Sequence, residues 1–154
     1  ATMMMGGGET LLERVEHLSR IRSLQDETGG FVAFIPWNVQ LEDTPMSAQI
    51  RESVGTVEYL KLLAVSRIFL DNIQNIQVSW LTQGLAVSQI ALHCGANDVG
   101  SIMIEENVMS TAGASHQASR SDLVKLIEQA GFIPTQRDTL YRSAKRLSEI
   151  ERIN

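Results

Sequence analysis

Only one cysteine, Cys94, stands among the 154 residues. That count excludes an internal disulfide and any zinc or iron–sulfur site assembled from several cysteines of this chain. Placed beside Leu92, His93 and Gly95 near a predicted helix end, Cys94 reads as a small buried apolar residue. A nucleophilic role with His93 or His116 as base is the alternative, but adjacent helical residues such as His93 and Cys94 point in different directions. His17, His93 and His116 are the three histidines, and they show neither H-x-x-x-H nor H-E-x-x-H spacing, so no metal site is expected within the chain. A basic excess is missing as well: thirteen Lys plus Arg against eighteen Asp plus Glu give a net charge of −5. A nucleic-acid surface therefore has no electrostatic support. The longest apolar run, residues 31–37, contains Pro36 and falls far short of the roughly 18 residues that read as a membrane span. No secretory signal pattern opens the chain, so the expected setting is the reducing cytoplasm. Neither a G-x-S-x-G elbow nor a G-x-G-x-x-G fingerprint occurs.

What is present is enough apolar sequence, 44%, for one sizeable core. Residues 1–5 read as a strand running into Gly6-Gly7-Gly8. Thr10 and Glu13 have capping-box spacing, and Leu11, Val15, Leu18, Ile21 and Leu24 form a helical apolar face that Gly29 and Gly30 end. Residues 31–37 read as a buried strand ended near Pro36, followed by a polar connection. Thr56 then caps a helix over 57–71 with Val57, Leu60, Leu63, Ala64, Ile68 and Leu70 as its apolar positions. A strand over 76–81, a helix over 84–93 ended by Gly95, a strand over 99–104 and a polar loop come next. The last regular helix, capped by Ser119 or Ser121, runs to Ala130. Strands that are apolar on both faces and alternate with amphipathic helices predict parallel βαβ units, hence an α/β fold. Four such units over residues 1–134 make half of a TIM-type barrel, with a helical tail over 135–154 carrying Leu140, Ala144, Leu147 and Ile150. The strand pattern starts at Ala1 without an initiator Met, which reads as a piece of a longer chain. Its two open edges and bare inner face predict that the chain self-associates or pairs with the missing N-terminal half.

In parallel α/β folds the functional residues gather at the C-terminal ends of the strands. That rule selects Gly6, Gly7, Gly8 and Glu9 after the first strand, and Trp37, Asn38 and Gln40 after the second. After the third it selects Thr82 and Gln83, and after the fourth Glu105, Glu106 and Asn107. The set suits a polar ligand such as a ribose, with Trp37 and Trp80 able to stack on a ring and Trp37, at a strand end, the one that faces a site. Trp80, inside a strand, reads as core. His17 reads as a surface or helix-packing residue and His116, in a loop, as the histidine nearest a ligand.

The strings MMMGGGET, ERVEHL, LQDETGGFVAFIPW, DNIQNIQVSWLTQG, GANDVGSIMIEENV and GFIPTQRDTLYR together resemble the C-terminal half of the cyclic dehypoxanthine futalosine synthase family. Its members are radical S-adenosylmethionine (SAM) enzymes of the futalosine route to menaquinone. Aminofutalosine synthase and the tyrosine-dependent subunit of the deazaflavin chromophore synthase share much of this pattern, while FIPW and SWLTQG look more like the cyclase. A non-catalytic half-barrel binding module is the reading from another class. Gly6 and Glu9 match the last two fixed positions of the G-x-I-x-G-x-x-E pattern that lies near the adenosine of SAM in radical SAM barrels, whereas Thr2 and Met4 replace its first Gly and its Ile. The resemblance implies Gly6, Gly7 and Glu9 at SAM, and Trp37, Gln40, Gln83, Glu105 and Asn107 at dehypoxanthine futalosine. It also implies a 4Fe–4S cluster held by a C-x-x-x-C-x-x-C loop that this chain lacks, Cys94 corresponding to none of its ligands. The implied reaction is reductive cleavage of SAM to a 5′-deoxyadenosyl radical, hydrogen abstraction from the substrate ribose, and addition of the carbon radical to the aromatic ring. The chain alone is then expected to be inactive.

Overall fold

The computed structural model describes residues 1–41, 48, 50, 54–102 and 117–141, and the backbone of 145–146. β1 (Thr2–Met5) leads through the glycine loop into α1 (Leu11–Thr28), and β2 (Ile35–Asn38) returns parallel to β1, with Thr2 opposite Ile35 and Met5 opposite Asn38. Single parallel bridges, Phe34 to Ile76 and Gln77 to Asp98, carry the pairing onward. Four segments thus lie side by side in chain order. The crossovers that parallel pairing demands contain α1, then α2 (Thr56–Phe69), then α3 (Trp80–Gln83) with α4 (Leu85–His93). α5 (Arg120–Gln129) packs on α4.

Alternation along the strands separates two faces. Met3, Met5, Phe34, Pro36, Ile76, Val78 and Val99 are buried with Leu18, Ile21, Tyr59, Leu62 and Leu63 from the helices. The register places Thr2, Met4, Ile35, Trp37, Gln77 and Asp98 on the opposite, inner face, where Thr2 and Met4 are exposed and the others are half-buried.

Pro36 does not end the second strand; it sits buried in its middle. The ladder shows why this is tolerated. Ile35 and Val39 donate to Ala1 and Met5 on the β1 side, whereas Phe34 N–H and C=O bond to Asn75 and Gln77 on the other. The missing N–H of Pro36 therefore falls on the side of the third segment, where the ladder opens and Tyr59 inserts its hydroxyl. That hydroxyl donates to the Pro36 carbonyl at 3.3 Å and accepts the Ser79 N–H at 3.1 Å, replacing the rung that regular pairing would have placed there. Beyond this point the expected third strand gives way to α3, so Trp80 is the first residue of a helix and not part of a strand, although it is buried as expected. The expected fourth strand contributes its bridge at Asp98, one residue before the predicted start.

The helix faces depart from the simple apolar pattern. α1 has both halves of the Thr10–Glu13 capping box and ends on Gly29, but it buries Arg14, Leu18 and Ile21 while Leu11, Val15 and Leu24 stay exposed. α2 starts from Gly55, with Thr56 already helical, and buries Tyr59, Leu62, Leu63 and Ser66, leaving Val57 and Ile68 exposed. Ser119 caps α5 through a capping box with Asp122. Cys94 closes α4 half-buried against the core. Where a tail helix is predicted, β3 (Thr135–Gln136) pairs antiparallel with β4 (Lys145–Arg146), with a turn between them in which the Tyr141 N–H bonds the Asp138 carbonyl. Ala144, Leu147 and Ile150 lie outside the described residues.

Candidate functional site

At the C-terminal end of β1 the chain turns through Gly6 at φ +90° and Gly8 at φ +98°. Glu9 folds back over this turn: Oε1 accepts the Gly6 N–H and Oε2 the Gly7 N–H, each at 2.8 Å. Arg14, one turn into α1 and almost fully buried, donates Nε to Glu9 Oε1 at 2.8 Å and Nη1 to Glu58 on the first turn of α2. The carboxylate thus braces the loop, and Arg14 ties the brace to two helices. Burial pushes the Glu9 carboxyl up, but the Gly6 amide, its own amide, the Arg14 guanidinium and the Gly7 amide outweigh that and hold it below its ordinary 4.5. A depressed carboxyl stabilises the fold above its unfolded value and loses that stabilisation as pH falls through its folded one. Acidification below 4.5 is therefore expected to release the glycine loop. Amide exchange at Gly6 and Gly7 should accelerate there beyond the intrinsic pH dependence, and this transition should vanish in Glu9→Gln; a pH-independent protection factor in the wild type would refute the brace.

At the end of β2, Trp37 lies half-buried on the inner face. Asn38 donates Nδ2 to the Val54 carbonyl at 3.0 Å, and its buried Oδ1 has no partner among the described residues, an acceptor that a ligand donor could satisfy. Gln40 donates to the Asn38 carbonyl at 3.1 Å. From the third segment, Thr82 bonds Ser79 and Gln83 donates to the Thr82 hydroxyl at 3.3 Å. Trp80 Nε1 reaches the Ser101 carbonyl at 3.2 Å, linking the third and fourth segments.

The structure therefore gathers Gly6, Gly7, Glu9, Trp37 and Gln40 where β1 and β2 end, with Gln83 on α3, which packs on β2. Glu105, Asn107, Glu106 and His116 lie outside the described residues. His17 is exposed on α1, its Nε2 3.2 Å from the Thr2 carbonyl and away from the rim. Sequence reasoning overlooked Arg14, disguised as one more charge on an amphipathic helix, and the unpartnered oxygen of Asn38. Among the described residues no group of three His, Cys, Asp or Glu side chains is placed to hold a metal ion, and no helix is long and apolar enough to cross a membrane.

The family model for the CofH/MqnC C-terminal region matches residues 28–150. Cyclic dehypoxanthine futalosine synthase of Streptomyces coelicolor is 51% identical over 141 residues, which cover 92% of this chain and 35% of that protein. The protein of the same name from Halalkalibacterium halodurans is 46% identical over 98% of this chain and 40% of its own length. A 5-amino-6-(D-ribitylamino)uracil–L-tyrosine 4-hydroxyphenyl transferase of Methanosarcina mazei is 40% identical over 92% of this chain and 39% of its own. The chain thus spans about two fifths of the length of these relatives.

Proposed function

Because the chain belongs to the CofH/MqnC C-terminal family, we propose that it forms the substrate-facing half of a radical SAM barrel that cyclises dehypoxanthine futalosine on the way to menaquinone. The observation that carries this reading is the set of four parallel segments in chain order, helices on one face and an open inner face with a polar rim on the other. Half of a TIM-type barrel is the arrangement that makes sense of it. The higher identity to the two cyclases, 51% and 46% against 40% for the transferase, supports the choice of substrate.

The glycine loop fits SAM through its backbone. A Cβ at Gly8 would meet nothing within 4 Å, and Gly7 is exposed beside it, so a flat ring can approach the main chain closely. In this reading Gly6 and Gly7 shape the SAM contact, and Glu9, whose oxygens already serve the loop and Arg14, acts as its brace. Bound SAM supplies the group that abstracts hydrogen from the substrate ribose. Trp37 offers a ring face to the benzoate end of the substrate, Gln40 and Gln83 offer amides to its hydroxyls, and Glu105 and Asn107 complete the set. A 4Fe–4S cluster needs a cysteine set that the single Cys94 cannot supply, so its ligands belong to the N-terminal half of the barrel, which closes on the open edge of β1. Such an enzyme acts in the reducing cytoplasm.

The test is anaerobic. This chain, alone and mixed with a cluster-bearing half made separately from a relative, is first sized by light scattering and then supplied with reductant, SAM and dehypoxanthine futalosine. Association, 5′-deoxyadenosine and a cyclised product are expected in the mixture and no turnover with the chain alone. Associated halves that leave this substrate untouched but couple tyrosine to 5-amino-6-ribitylaminouracil would replace the cyclase by the transferase. Associated halves inert toward both would leave a binding module.

A further inference from the structure

One polar cluster on the inner face lies away from the rim. Thr2 is level with Ile35, Ile35 follows Phe34, which is level with Ile76, and Gln77 is level with Asp98. Gln77 and Asp98 therefore occupy the tier at the N-terminal ends of the strands, one step below Met4 and Trp37. Asp98 Oδ2 accepts Arg137 Nε at 3.1 Å, Arg137 Nη2 and the Tyr141 hydroxyl, while Oδ1 accepts the Gly100 N–H at 3.0 Å. Arg137 Nη2 also reaches Gln77 Oε1 at 3.3 Å, and the guanidinium lies 4.0 Å over the Tyr141 ring. The Asp98 side chain is 10% exposed and that of Arg137 is 23% exposed, so this is a shielded network and not a surface ion pair.

Two backbone features accommodate it. Gly100, at φ +78°, leaves room for the Gln77 amide, whose Nε2 is 2.7 Å from where a Cβ would stand. Tyr141 adopts φ +58°, a left-handed conformation that an aromatic residue keeps only where its surroundings fix it. The segment leading there gains little from apolar burial: Phe132, Ile133 and Leu140 are 45%, 66% and 47% exposed. What fastens it is the polar network.

We propose that residues 132–141 are a strap across the N-terminal ends of the third and fourth segments, locked by Asp98, Arg137 and Tyr141, which forms the floor of the inner face. Among the described residues the fourth segment has a single bridge to its neighbour, so the strap also steadies the last strand position. None of the rim residues takes part, and the lock stands whether or not the reaction proposed above is the right one.

Chemical modification of tyrosine tests it in this chain as it stands, because the sequence holds two tyrosines and the other, Tyr59, is fully buried and reports global unfolding. With tetranitromethane, which attacks the phenolate, and with each rate divided by the phenolate fraction from that variant's own absorbance titration, Tyr141 of the wild type should be nitrated slowly, and Arg137→Gln should raise the rate by about tenfold or more, the loss of a charge-assisted hydrogen bond, while Tyr59 stays unreactive. Arg137→Lys, which keeps the charge but loses the fork, should fall between them. Equal Tyr141 rates in wild type and Arg137→Gln, with Tyr59 protected in both, would overturn the lock. If Arg137→Gln exposes Tyr59 as well, wild-type amide exchange decides: slowed exchange at Gly100 and Tyr141 is expected, and exchange at free-peptide rates in both would overturn the strap.

Discussion

Replacing Tyr59 with Phe should cost about 1 to 4 kcal/mol of folding stability, because it strands a buried carbonyl at about 1 to 3 kcal/mol and a half-buried N–H at less. The Ser79 N–H loses its acceptor and the Pro36 carbonyl loses its donor, and the ring that remains fills the same space without either. Burial is complete at Tyr59 and pushes its hydroxyl up to about 12, so the group is a neutral donor at any working pH. Urea unfolding should show a lower midpoint with an unchanged slope, since the surface exposed on unfolding is the same. A loss below about 0.5 kcal/mol, the scale of an ordinary surface substitution, would mean that the opened ladder takes up water instead of depending on the tyrosine. The consequence reaches the site: Ser79 begins the rim segment that carries Thr82 and Gln83, and Trp37 flanks Pro36 on β2. Tyr59 therefore sets the spacing of two rim segments from behind.

The order of elements was legible in the sequence because burial leaves a periodic mark. Apolar strands, capping boxes at Thr10 and Ser119, and glycine stops at Gly29 and Gly95 are local signals, and the structure follows them. What was not legible depends on partners distant along the chain. Arg14 takes a core-facing position on α1 because Glu9 and Glu58 await it there, so the apolar period that selects Leu11 and Val15 misplaces the helix face. Pro36 looks like a strand end because nothing local announces that Tyr59, 23 positions away, mends the ladder. The described part of the tail departs from the helical reading for the same reason: Leu140 has helical spacing, but Arg137 and Tyr141 find Asp98 across 39 and 43 positions. The rim positions came mainly through a rule about strand ends, so of the six described site residues Gly6, Gly7, Glu9, Trp37 and Gln40 lie at or just beyond the ends of β1 and β2 and Gln83 lies on α3, while the chemistry of Asn38 Oδ1 and the brace on Glu9 stayed hidden.

Gly6→Ala should be the most damaging single change at the glycine loop, costing about 2 to 4 kcal/mol when left-handed backbone strain of about 1 kcal/mol or more is added to overpacking of about 1 to 3 kcal/mol. A Cβ there would stand 2.9 Å from Val54 Cγ2 and 3.2 Å from Val39 Cγ1, and neither β-branched side chain can swing aside freely. Gly8→Ala separates the two contributions. Gly8 has a similar φ of +98° but meets nothing within 4 Å, so it should cost only the backbone part, about 1 kcal/mol. Equal losses for the two variants in thermal or urea unfolding would show that Val39 and Val54 yield and that packing does not hold the loop. Unequal losses carry a further consequence for the site. A displaced Gly6 moves its N–H away from Glu9 Oε1, and with it the anchor that Arg14 shares. Faster amide exchange at Gly7 should then accompany Gly6→Ala and not Gly8→Ala, and the former should weaken any adenosyl ligand that rests on this loop even where the chain stays folded.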